Sequence, residues 1–88
     1  MKPLNFAILK YFTTGVEACR ADVQEALKDQ YSEFRAFKDH IMDEALMTAA
    51  SNGLIEESSL DLDDQGNLVI YYRALDDGIA AINNYIKD

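Results

Sequence analysis

Asp61-Leu62-Asp63-Asp64-Gln65-Gly66 opens as a calcium-binding loop opens, with carboxylates at its first and third positions and glycine at its sixth. Such a loop closes on a bidentate Glu at position twelve, where this chain carries Tyr72. It also lies between helices, whereas the flanks here are strand-forming. No metal is expected there. Cys19 and His40 are the only thiol and the only imidazole, and neither has a second ligand or a base at workable spacing. With no Ser-His-Asp set and no glycine-rich phosphate cradle, neither catalysis nor a cofactor is expected. What remains is a short polar and basic run, Ser32, Arg35, Lys38 and His40, with Lys28 just before it. Residues of these types contact phosphate oxygens. The rival account makes Arg35 and Lys38 ordinary solvated helix charges beside Glu33, Asp39 and Asp43.

The elements that must carry these residues are legible from spacing. Leu4, Ala7, Ile8, Tyr11 and Phe12 share one helical face, predicting a helix from Leu4 to about Thr13, with Phe6 and Leu9 on its opposite side. From Val16 to Asn52 there is neither Gly nor Pro, and Val23, Leu27, Gln30, Phe34, Phe37 and Ile41 keep helical spacing. One rod of about thirty residues therefore competes with two helices of ordinary length. Two are expected, from Ala21 to about Gln30 and a second ending at Asn52, broken at a cap on Ser32 or Asp39 and stopped by Gly53. Leu60-Asp61-Leu62-Asp63 alternates, and Leu68 to Tyr72 is β-branched and aromatic, so a hairpin turns through Asp64-Gln65-Gly66-Asn67. A short strand at Val16-Glu17-Ala18 could join it. Leu75, Ile79, Ile82 and Ile86 then form one helical stripe behind Asp76-Asp77, acids suited to a helix start.

Leu46 to Glu57, with Gly53-Leu54-Ile55 at its centre, and Tyr71-Tyr72-Arg73-Ala74-Leu75-Asp76-Asp77-Gly78 resemble the winged-helix family, in particular the small bacterial regulators of the MarR and PadR type. The first stretch is similar to the family's third-helix ending and entry into the wing. The second is similar to its junction from wing to last helix, with Ala74 added and the family's Thr absent. The resemblance implies a mainly α fold with a small β-hairpin: a three-helix core, a two- or three-stranded wing and a C-terminal helix. It also implies that the third helix enters the major groove of DNA while the wing touches the backbone. Ser32, Arg35, Lys38 and His40 at the start of that helix, with Arg73 from the wing base, would then be the nucleic-acid contacts. Terminal helices of such proteins often form a two-fold dimer, which would place Phe6, Leu9, Ile82, Tyr85 and Ile86 at an interface. Packing of those two helices on each other within one chain is the equal alternative.

Composition bounds these expectations. Eighty-eight residues suit one domain, residues 1–88, and 49% hydrophobic with 27% charged is a globular rather than a disordered balance. No apolar run approaches the ~20 residues needed to cross a bilayer, so no membrane partner is expected. The apolar stretch Phe6 to Leu9 is too short for a secretory core, and a single cysteine asks for no oxidising compartment, which points to the cytoplasm. Sixteen acids against eight Lys and Arg give a net charge of −8. From Asp39 to Tyr72 there are eight acids and no Lys or Arg. Two functions follow from different classes. Family frequency favours a transcription-regulator-type DNA-binding module, the first of the two. The charge distribution favours the alternative, an acidic interaction module that meets a basic protein.

Overall fold

The computed structural model describes residues 2–87, and within them lie four α-helices and one antiparallel strand pair. α1 spans Leu4–Phe12, α2 Arg20–Tyr31 and α3 Asp39–Ser51. The hairpin strands are β1, Glu56–Leu62, and β2, Leu68–Arg73, and α4, Asp76–Tyr85, follows. The content is mainly helical with one small hairpin, as the spacing predicts.

The four-residue step Leu4, Ile8, Phe12 sends three α1 side chains into the core. On the other side of α1, Phe6 meets Tyr85 of α4 edge-to-face, with ring centroids 5.6 Å apart. Lys10 Nζ donates to Asn83 Oδ1 at 2.8 Å along the same seam. α4 thus covers Phe6 within one chain, while Leu9 lies beside Ile41 and Ala45 of α3. Leu75 departs from the expected stripe: it is the N-cap of α4 and lies exposed, while Ile82 and Ile86 are buried.

The chain turns a corner in its middle. A 3₁₀ turn at Arg35–Phe37 separates α2 from α3. Ser32 is the C-cap of α2 rather than the start of a helix, and Asp39 is the first residue of α3 behind an N-cap at Lys38. The helical spacing read from Val23 to Ile41 therefore fails at the bend. Gln30 and Phe34 are exposed, and Tyr31 is buried instead. The Tyr31 hydroxyl donates to the Lys2 carbonyl at 2.5 Å, and its ring packs edge-to-face on Phe34 at 5.1 Å. Burial of a phenol is tolerable only with such a partner.

α3 stops one residue before the expected Asn52, which is its C-cap. Gly53, at φ +78°, lets Leu54 N–H reach Ala49 O at 3.1 Å and its own N–H reach Ala50 O at 3.0 Å. These two bonds form a Schellman stop and send the chain directly into the hairpin. β1 and β2 pair from Glu56↔Arg73 to Leu62↔Leu68, with a bulge between Glu57 and Ser59. The expected third strand is reduced to one bridge, Ala18↔Tyr72, with N–H···O distances of 2.9 and 2.8 Å. Behind the sheet, Gly78 of α4 lies against Leu54: a Cβ there would stand 2.3 Å from the Leu54 carbonyl oxygen. That close approach fixes how α4 returns onto the core.

Candidate functional site

The corner between α2 and α3 collects the predicted basic run. Ser32 closes α2, Arg35 sits in the 3₁₀ turn, Lys38 caps α3 and His40 lies in its first turn. All four are exposed. Among the described residues Arg35, Lys38 and His40 have no side-chain hydrogen bond or ion pair. Lys28 differs: Glu25 holds its ammonium at 2.6 Å and, mainly through that hydrogen bond, keeps its pKa above the ordinary lysine value. Arg73 is not on the corner but at the end of β2, where Nε lies 3.5 Å from Glu56 across the hairpin base.

Two of the three acids expected to neighbour Arg35 and Lys38, Asp39 and Asp43, are held by a residue the sequence did not single out. Arg20, the first residue of α2, reaches Asp39 at 3.1 Å and Asp43 at 3.1 Å. Gln24, one turn on, accepts from Arg20 Nη1 at 3.0 Å and donates to Phe37 O at 2.9 Å and Asp39 Oδ1 at 3.0 Å. These contacts clamp α2 to α3 across the corner. The available signal was that Arg20 has no carboxylate three or four residues further along its helix, so its partner had to lie elsewhere.

The second surface is a groove of about 540 Å³ between the start of α2, α3 and the hairpin. Arg20, Asp43 and Met47 form its helical wall, and Asp61–Asp63 with β2 form the other. The strand pleat places Leu60, Leu62, Leu68 and Ile70 on one face, as the partners Leu60↔Ile70 and Leu62↔Leu68 show. The three leucines and Met47 are exposed, at 56–65% of their accessible surface. A hairpin tip ordinarily carries polar residues on a solvated face, so this apolar stripe is a feature in its own right. Its flank is acidic. Asp43, Asp61 and Asp63 line the groove, and Arg20 is already occupied by Asp39 and Asp43.

The acid-rich turn has a structural occupation. Asp63 Oδ1 accepts from Gln65 N–H at 2.9 Å and Asn67 N–H at 2.8 Å, and the Asn67 bond is the main cause that lowers its pKa. Asp61 Oδ1 accepts from Leu62 N–H at 2.8 Å. Where a calcium loop would need its twelfth ligand, Tyr72 is buried in β2, and burial raises its phenol pKa. Cys19 is the buried N-cap of α2, with its N–H bonded to Asp22 Oδ2 at 3.2 Å. Tyr71 beside it is held above the ordinary tyrosine pKa, first by its electrostatic interaction with Cys19, then by burial and by Asp22 and Asp61.

The five residues expected at a dimer interface are divided by the structure. Ile82 and Ile86 are spent inside the chain, Phe6 and Leu9 are half-buried, and Tyr85 alone is widely exposed. No described helix is long and apolar enough to cross a membrane. No family model, curated protein or solved structure matches the chain.

Proposed function

We propose that the chain is a winged-helix module that docks a basic protein partner through α3 and the hairpin, rather than a module that reads DNA with them. The observation that carries this is the surface of α3 and the wing: eight acids, exposed leucines and Met47, and no Lys or Arg from Asp39 to Tyr72. A recognition helix and wing of this composition oppose a phosphate backbone. At ~4 Å and an effective dielectric of about 20, each close acid–phosphate pair costs several kcal/mol before screening. A cationic, partly apolar protein surface reverses that sign and covers the leucines as well.

A DNA-binding role keeps one specific support: Arg35 and Lys38 stand at the start of α3 with no ion pair among the described residues. Fluorescence anisotropy on mixed-sequence duplex at ~50 mM salt, where phosphate affinity is strongest, separates the two. The protein-docking role predicts no measurable binding. Binding that weakens with salt and is lost on changing Arg35 and Lys38 together to Ala would replace it with the DNA role.

A further inference from the structure

The open edge of β2 gives the docking surface a mode. Tyr72 N–H and C=O both bond to Ala18, so they point away from β1. Beyond the other end of β2, Asp63 N–H bonds to Asn67 O, so Asn67 points toward the β1 side. Strand alternation between these two fixed points directs the Ile70 and Leu68 backbone groups outward, on the edge where Ala18 makes its single bridge. The chain that begins to pair there leaves at once into α2, whose first residue is Arg20. Among the described residues two rungs of the ladder are thus unfilled, and the groove walled by Met47 and Asp43 runs beside them. The edge of β1 is less suited to pairing because the bulge near Ser58 bends it.

We infer that this edge takes an extended segment of a partner protein, alternating apolar and basic residues, as an added strand. The inference rests on the protein-docking reading above and specifies its site. Backbone bonds to Leu68 and Ile70 supply the pairing, as in other strand-addition complexes. Alternate side chains of the incoming strand meet the Leu68 and Ile70 face, where apolar residues fit, and the opposite face, where Asp61 lies. Basic residues fit that second face, while Asp43 stands across the groove on the Tyr72 side, within reach of a basic residue at the segment's end. A second copy of this chain suits the edge poorly, because each brings a net charge of −8.

The test titrates the isotopically labelled full chain with a synthetic peptide of about ten residues alternating Val and Arg, long enough for a typical strand. Two controls accompany it: the peptide N-methylated at every second residue, in both phases, and a peptide of equal composition in two blocks. Expected are slowed exchange of the Leu68 and Ile70 amides and about tenfold weaker binding for one N-methylated phase, the equivalent of one or two backbone bonds. Leu68→Pro, which removes an outward donor at the first residue of a strand, should weaken binding as much, whereas Leu68→Ala keeps the Ile70 protection. Equal binding by both N-methylated phases, with no protection on β2, overturns strand addition but leaves a basic partner in place. No binding by either the alternating or the block peptide overturns the basic-partner reading itself. Doubled mass in sedimentation with those amides already protected gives the edge to a second copy and overturns the assignment.

Discussion

At the scale of single residues, the molecule depends on contacts whose sign runs against intuition. Glycine inside an exposed helix is ordinarily improved by alanine, by up to about 1 kcal/mol. Gly78 lies in α4, yet Gly78→Ala should destabilise by about 1–3 kcal/mol, because the new methyl meets the Leu54 carbonyl rather than a flexible side chain. Chemical denaturation, read as a lowered midpoint at unchanged slope, checks this. Asp63 offers a pH counterpart. Its pKa is lowered in the folded chain by the Asn67 and Gln65 amides, so the turn's stability is present above the ordinary aspartate value and is lost as pH falls through the lowered folded value. Amide exchange at Gln65 and Asn67 should accelerate over that acid window. Asp63→Asn, which keeps an acceptor that does not titrate, should abolish the pH dependence while the core amides stay unchanged.

At the scale of elements, the hairpin and the outer helices follow from spacing because each is decided locally. Leu4, Ile8 and Phe12 are one turn apart, and Leu68 to Tyr72 is a run of strand formers about a turn. The corner was harder to read because no Gly or Pro marks it and its stabilising bonds are long-range. Tyr31 is anchored on the Lys2 carbonyl, and Arg20 binds acids well beyond its own helix. The same spacing that identifies α2 and α3 runs on through the bend and so selects Gln30 and Phe34 over Tyr31. The acidic balance of the candidate surface was plain from residue order, whereas its groove and open edge depend on where Ala18 pairs. Arg20→Ala should cost about 1 kcal/mol, above a lone surface pair because Asp39, Asp43 and Gln24 share the cation. A double-mutant cycle with Asp43→Ala checks that coupling.

At the scale of the whole molecule, charge sets the terms. A net charge of −8 on 88 residues repels itself, so added salt should raise the denaturation midpoint until screening is complete near a few tenths molar. Thermal melts at two ionic strengths test this, and a midpoint that falls with salt would place the ion pairs at α2 and α3 above the self-repulsion. The seam between α1 and α4 bears on assembly in the same way. Ile82 and Ile86 are buried within the chain, which leaves Tyr85 as the widely exposed member of that seam. Sedimentation at two concentrations should therefore return one protomer's mass, and a doubled mass sensitive to Tyr85→Ala would restore a dimer there. The bond from Tyr31 to the Lys2 carbonyl also has a practical bearing. Because it ties the Lys2 backbone to the last turn of α2, beside Leu27 and Gln30, a dye on the Lys2 side chain would report on that end of α2. The leucine groove is lined by none of those residues, so such a dye would follow the loosening of α1 from α2 while the groove stays open to a ligand.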